Sequence, residues 1–247
     1  MRQICRMRAG LLLTLMCLTA ATSPAADVTI ESPRTRTHLL ELFTSEGCSS
    51  CPPAEAWFSR LKDEKGLWRD FVPVAFHVSY WDHLGWRDPF ASKLWTGRQQ
   101  AYAERWKSSS VYTPGFVLNG RESRDRAVPD SSSEETGVLK LNVSGNDVVN
   151  ATFASNSATK NPLELHIVRL GFELGSNVKA GENRGRKLLH DFVVLSLTTV
   201  PLDGGSAELR LPVANASASD DGRQAIAAWV TQRGGVEPLQ AAGGWLP

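Results

Sequence analysis

Two cysteines three residues apart, Cys48 and Cys51, stand between a short apolar segment and a segment with helical spacing. Residues 38–45 (HLLELFTS) are mostly apolar, which predicts a buried strand. From Pro52 onward apolar residues recur at helical spacing, and proline is tolerated in the first turn of a helix. The sequence therefore predicts a strand, a turn that carries both cysteines, and a helix.

The residues that follow continue this alternation. Residues 71–80 (FVPVAFHVSY) predict a second buried strand, and a strand–helix–strand order favours a parallel pair with a right-handed crossover. Residues 92–107 predict an amphipathic helix. Residues 111–120 predict a strand entered through Thr113-Pro114 and left by the turn pair Asn119-Gly120.

The second half of the chain has a different pattern. Residues 121–136 are charged and rich in serine, which predicts a linker. Beyond them, turns separate six short segments of period-two character, which suggest a small β-sandwich. These segments are residues 138–143, 148–154, 163–170, 188–197, 207–211 and 226–232.

The N-terminus has the three parts of a secretory signal: early arginines, an apolar run over residues 11–21 and small residues at 23–26. The run is shorter than the roughly 20 residues of a membrane-spanning helix. We therefore expect a periplasmic or secreted protein that does not insert into the membrane after cleavage. The predicted division is a signal peptide, a first domain and a β-rich second domain at residues 1–26, 27–130 and 131–247.

Charge and cysteine count narrow the function. The formal net charge is +1, so no basic stripe for a phosphate backbone is evident, and we expect no nucleic acid partner. Two of the four cysteines lie in the predicted signal, which leaves Cys48 and Cys51. A disulfide between them closes only a tight loop and adds little loop entropy, and a structural zinc site usually needs four ligands. Redox chemistry is therefore the leading interpretation of the Cys48 and Cys51 pair.

The position of each cysteine predicts its role. A cysteine just before a helix has its thiolate stabilised by free N–H groups and the helix dipole, so Cys48 is the predicted nucleophile and the more exposed thiol. Cys51, one turn further on, is the predicted resolving cysteine and the more buried one. This chemistry needs no dissociable organic cofactor, and we expect none.

The order of strand, CxxC, helix, strand, helix and a Thr-Pro-led strand resembles the thioredoxin superfamily over residues 37–120. The resemblance implies a cis-proline at Pro114 that packs against the cysteine pair, and a Thr113 backbone that pairs with extended substrate. Closer still is the resemblance to an exported bacterial family known mainly as a domain of unknown function, carried by GCSSCPP, FHVSYWDHLGW, VYTP and GENRGRKL. The expected fold class is α/β, a thioredoxin-like domain followed by a smaller, sandwich-like β-rich domain.

Two titratable residues of the predicted strands have alternative interpretations. Glu41 interrupts an apolar strand, so it either relays protons to Cys51 with a raised pKa or pairs with an arginine at a strand end. His77 lies mid-strand, where it acts as a base or third metal ligand, or is a satisfied core histidine.

Two loops offer further candidates. Trp81 belongs to an aromatic loop that either lines a substrate groove or anchors the loop by packing. Glu182 and Arg184 lie between glycines, where ordinary turn formation is one interpretation and a contribution to the cleft of the first domain is the other.

Three functions remain open from the sequence. The first is an exported thiol–disulfide oxidoreductase that acts on protein or peptide thiols and disulfides, together with a redox partner protein. The second is a Cu(I)- or Zn(II)-binding protein that uses Cys48, Cys51 and His77. The third is a non-catalytic binding module with the β-rich half as its recognition surface.

Overall fold

The computed structural model describes residues 27–145, 147–156, 161–211 and 223–247. Of these residues, 46% lie in strands and 14% in helices, and none of their helices is long and apolar enough to span a membrane. The predicted signal peptide, residues 1–26, lies outside the described residues.

The first part of the described chain follows the predicted order of elements. Strands β2 (His38–Thr44) and β3 (Phe71–His77) are almost wholly buried, as apolar strand sequences require. Helix α1 (Pro52–Arg60) opens on two prolines, whose missing N–H groups cost nothing in a first turn. Helix α2 (Lys93–Trp106) is capped by Ser92, whose Oγ accepts a backbone N–H at 3.1 Å. The other elements are β1 (Val28–Glu31), β4 (Gly115–Leu118), β5 (Arg121–Ser123) and the 3-10 helices Leu61–Asp63 and Asp82–Leu84.

The second part is built from strands, as its period-two pattern predicts. Each of the six predicted segments contains strand, and the segment at 188–197 divides into two. The strands are β6 (Gly137–Val143), β7 (Val148–Ser155), β8 (Leu163–Gly171), β9 (Leu174–Asn177), β10 (Lys187–His190), β11 (Val193–Pro201), β12 (Ser206–Arg210), β13 (Gln224–Gln232) and β14 (Pro238–Trp245).

One sheet of eight strands runs through both parts of the chain. Its order is β14-β13-β8-β11-β3-β2-β4-β5. The two parts join where β11 runs parallel to β3, with Val193 opposite Ala75 and the Ala75 N–H donating to the Phe192 carbonyl at 2.8 Å. A four-stranded sheet, β1-β6-β7-β12, and the two-stranded sheet β10-β9 complete the described strands.

This sheet overturns the predicted fold class. The molecule is mainly β-structure in several sheets, and it is not an α/β thioredoxin-like domain followed by a separate sandwich-like domain. The reason is the β3–β11 junction. In a separate first domain β3 would be an edge strand, but here it pairs with β11 of the second part, and the sheet continues. The predicted linker is also partly wrong, since Arg121–Ser123 forms β5. The domain boundary near residue 130 stays a prediction.

The main core follows the sheet across the junction. Phe58 of α1 packs edge-on against Phe192 with ring centroids 5.6 Å apart, and Phe172 packs against Phe192 at 4.9 Å. All three rings, and Trp229 of β13, are at most 1% exposed. Burying a large apolar side chain stabilises the fold by about 1.5–3 kcal/mol, so both parts of the chain depend on this shared core.

Candidate dithiol site

The cysteine turn lies between β2 and α1, as the sequence predicts. The Cys51 N–H donates to the Cys48 carbonyl at 3.2 Å, and the Cys51 carbonyl accepts from the first turn of the helix. Gly47 makes room for the turn, because a Cβ there would lie 2.7 Å from the Cβ of Trp81. A side chain at residue 47 would push Trp81 away from the cysteines.

Both cysteines are free thiols, and both are buried. Their exposed fractions are 1% for Cys48 and 0% for Cys51, so Cys48 is the more exposed of the two, as predicted, but only by a small margin. The Cys48 sulfur lies 3.3 Å from the Ser50 Oγ and 3.7 Å from the Thr113 carbonyl oxygen. These contacts place Thr113 beside the pair.

The pKa values of the two thiols are shifted in opposite directions. A hydrogen bond with the Cys51 thiol lowers the pKa of Cys48 to about 6 despite burial, with further help from Ser50 and Thr113. Burial raises the pKa of Cys51, and the neighbouring Cys48 raises it further. The thiolate therefore forms on Cys48 near neutral pH, while Cys51 keeps its proton.

The Thr113–Pro114 peptide bond is cis, which is the isomer that the sequence led us to expect. The indole Nε1 of Trp81 donates to the Thr113 Oγ1 at 2.8 Å. The structure therefore brings Trp81 and Thr113 together next to the cysteine turn. A substrate-binding role for Thr113, Pro114 and Trp81 stays a prediction.

A loop of the second half covers the turn. The Asn183 amide donates to the carbonyl of Glu46 at 2.8 Å and to that of Cys48 at 2.9 Å. The Glu182 carboxylate accepts from the Ser49 N–H at 2.8 Å. Of the two sequence interpretations of this loop, a contribution to the cleft is the one that fits Glu182.

Glu41 of β2 forms an ion pair with Arg98 of α2. It is fully buried, and its carboxylate accepts from Arg98 at 2.7 and 3.1 Å and from the Tyr102 hydroxyl. The guanidinium in turn stacks over the rings of Phe76 and Trp229. These contacts match the arginine-paired interpretation, and they give no support to a proton relay from Glu41 to the cysteines.

His77 belongs to a buried group that we call the polar cluster: Glu46, Glu55, His77, Asp88 and His190. The Nδ1 of His77 lies 2.8 Å from Asp88, and its ring centroid is 4.9 Å from that of His190. These contacts match a satisfied core histidine. The metal-ligand set of Cys48, Cys51 and His77 stays a prediction.

His190 lies between two carboxylates of the polar cluster. Its Nδ1 is 2.9 Å from Glu55 and its Nε2 is 2.9 Å from Glu46. Burial alone lowers the pKa of His190, but the two carboxylates outweigh burial and raise that pKa to about 10. Glu55 also accepts from the Thr44 hydroxyl at the end of β2, next to the cysteine turn.

Sequence reasoning missed most of this cluster. Glu46 and Glu55 flank the cysteines and look like ordinary turn and helix residues. The available signal for His190 was a histidine at the end of an apolar segment, LLH, followed by Asp191. Only the pairing of the second part with the first brings His190 to the other four residues.

The site and fold define a class of protein: a mainly β-structured protein with two buried thiols at the start of a helix, one with a lowered pKa and one with a raised pKa. Residues 39–231 match the model of a family described as a protein of unknown function, DUF1223, and the chain belongs to that family.

Two solved structures are similar to this chain. The crystal structure of protein AGR_C_4864 from Agrobacterium tumefaciens has 26% identity and a TM-score of 0.54, covering 87% of this chain and 95% of that one. HBP35 of Porphyromonas gingivalis has 15% identity and a TM-score of 0.56, covering 87% of this chain and 76% of that one, and its likeness concerns the fold alone. No curated protein matches the chain.

Proposed function

We propose that the protein exchanges disulfides with protein or peptide substrates through Cys48 and Cys51. One observation carries the proposal: two adjacent free thiols have pKa values shifted in opposite directions. Thiol–disulfide exchange requires a thiolate to attack and a second thiol that waits to resolve. An inert disulfide would not need this asymmetry.

The exchange proceeds in two steps. The Cys48 thiolate attacks a substrate disulfide, the substrate S–S bond breaks, and one substrate sulfur leaves as a thiolate that takes up a proton. Cys51 then loses its proton and attacks the Cys48 sulfur, which releases the second substrate sulfur. Two electrons have passed to the substrate, and a Cys48–Cys51 disulfide remains. The reverse sequence oxidises a substrate dithiol.

Access to Cys48 requires a local opening, because the thiol is 1% exposed. The loop of Glu182 and Asn183 is bonded to the cysteine turn, and its movement would provide that opening. An extended segment of a protein or peptide would then meet Thr113 and Trp81. The signal-like residues 1–26 support a site of action outside the cytoplasm, where disulfides persist. The chemistry uses no organic cofactor.

Equilibration with glutathione tests the proposal. The protein is incubated in buffers with different ratios of reduced to oxidised glutathione, and the Cys48–Cys51 disulfide is quantified by mass spectrometry after acid quench and alkylation. We expect a reversible two-electron transition. A potential near ~−120 mV would make the protein an oxidant and one near ~−270 mV a reductant.

The matched controls are Cys48→Ser and Cys51→Ser. Cys51→Ser should accumulate a stable mixed disulfide between Cys48 and glutathione, because the resolving thiol is missing. No disulfide at any glutathione ratio would refute the proposal, and so would a disulfide that forms but never exchanges. Either result would favour a binding module.

A further inference from the structure

The polar cluster contains a set of potential metal ligands. Donor atoms of Glu55, His77 and His190 lie within 4.8 Å of one another, and all three residues are buried. They come from three elements: helix α1, the end of β3 and the end of β10. Two imidazole nitrogens and one carboxylate oxygen suit a divalent first-row transition metal.

The surroundings of both imidazoles strengthen this interpretation. Nδ1 of His77 lies 2.8 Å from Asp88, and Nε2 of His190 lies 2.9 Å from Glu46. Metal-bound histidines almost always donate their second ring N–H to a carboxylate or carbonyl, which fixes the ring. Nε2 of His77 and Nδ1 of His190 are thereby assigned as the metal-binding atoms.

The spacing also fits. Nδ1 of His190 and Oε2 of Glu55 are 2.9 Å apart. Two ligands at zinc-bond lengths in a tetrahedral site lie about 3.3 Å apart. A metal would therefore replace the proton between these two atoms, release it to solvent and move them about 0.4 Å apart. Glu46, Glu55 and Asp88 further place three carboxylates in this buried region, and a divalent cation would supply the positive charge that the protonated His190 provides there without a metal.

We propose that Glu55, His77 and His190 bind a divalent transition metal, with Zn²⁺ as the simplest occupant, and that Glu46 and Asp88 orient the two imidazoles. The site uses neither cysteine, so it is independent of the proposed disulfide exchange. Because Glu55 is on α1 and His190 is on β10, the bound metal would fasten the β9–β10 sheet to the helix that follows the cysteines.

The test is a titration of the purified, reduced full chain, free of any histidine tag, with Zn²⁺ and separately with Co²⁺. We expect one equivalent of each metal, a cobalt spectrum without a thiolate-to-cobalt charge-transfer band, and a rise in melting temperature with metal concentration. The double variant Cys48→Ser/Cys51→Ser should bind one equivalent as well. This double variant separates the site from any that uses Cys48 or Cys51.

Single substitutions locate the ligands. Glu55→Gln, which keeps the side-chain shape, should weaken Zn²⁺ binding more than 10-fold, and Asp88→Asn should weaken it by about 10–100-fold through the His77 ring. The matched control is His166→Asn, because His166 is a buried histidine that contacts Thr199 and Thr231. The affinity of the His166→Asn protein for Zn²⁺ should equal that of the unsubstituted protein.

Two results would overturn the proposal. One is the absence of stoichiometric metal binding by the unsubstituted protein. The other is binding that the double cysteine variant loses and Glu55→Gln retains. If Glu55→Gln does not fold, as judged by circular dichroism, the cobalt spectrum of the double cysteine variant decides: nitrogen and oxygen ligation supports the site, and no bound cobalt refutes it.

Discussion

At the scale of single residues, the two cysteines differ because of what surrounds each of them. Hydrogen bonds with Cys51, Ser50 and Thr113 lower the pKa of Cys48, whereas burial dominates at Cys51. A nucleophilic role for Cys48 could be proposed from the sequence, because this cysteine stands just before a helix. The contacts of Glu182 and Asn183 with the cysteine turn could not, because these two residues are about 130 positions away along the chain.

The first prediction concerns the pH dependence of Cys48. In the reduced protein the rate of alkylation by iodoacetamide should rise through pH 6 and level off above it, since the pKa of Cys48 is lowered to about 6. Cys51→Ala removes the largest cause of this lowering and should move the midpoint upward. Mass spectrometry of the quenched reactions gives both profiles. Midpoints near 8.5 in both proteins would contradict the assignment.

The second prediction concerns Glu41. Glu41→Gln leaves the buried Arg98 guanidinium without its carboxylate partner, which should cost about 3–5 kcal/mol of unfolding free energy. Denaturant unfolding measures the loss, with the exposed Glu208→Gln as the control. The alkylation midpoint of Cys48 should not move. A shifted midpoint with unchanged stability would restore the proton-relay interpretation.

At the scale of elements, local patterns predict the strands and helices well. The apolar run of β2 and the prolines of α1 determine their own elements, and Asn119 and Gly120, with φ of 49° and 82°, form the expected turn between β4 and β5. The cover over Cys48 is different, because glycines in GENRGRKL predict a turn without saying what the turn contacts.

The third prediction tests that cover. Asn183→Ala removes the hydrogen bonds to the Glu46 and Cys48 carbonyls, so the alkylation rate of Cys48 at pH 8 should increase several-fold. Asn177→Ala, on the exposed side of β9, should leave the rate unchanged. An unchanged rate in Asn183→Ala would mean that Cys48 is reached from another direction.

At the scale of the whole molecule, the β3–β11 junction makes the two parts of the chain one sheet with a shared core. The sequence change near residue 130 suggested two independent folds, because composition reports local pattern and carries no information on pairing between distant strands. The place of His190 in the polar cluster was hidden for the same reason, because His190 reaches Glu55 only when β10 lies beside α1.

The fourth prediction follows from the shared core. Phe192→Ala should reduce the free energy of unfolding by about 3–5 kcal/mol and should shift tryptophan fluorescence and cysteine protection together, because both depend on one cooperative structure. Leu189→Ala is the control, since Leu189 is 56% exposed. Separate transitions for the two probes would show that the parts unfold independently.

Trapping of a mixed disulfide shows whether Cys48 attacks and Cys51 resolves. Cys51→Ser and Cys48→Ser are each incubated with a disulfide-bonded peptide at pH 7, quenched with acid and analysed by intact mass. We expect a stable peptide adduct on Cys48 in Cys51→Ser and little adduct in Cys48→Ser, because burial keeps Cys51 protonated. Faster adduct formation on Cys51 than on Cys48, or none on either, would contradict these roles.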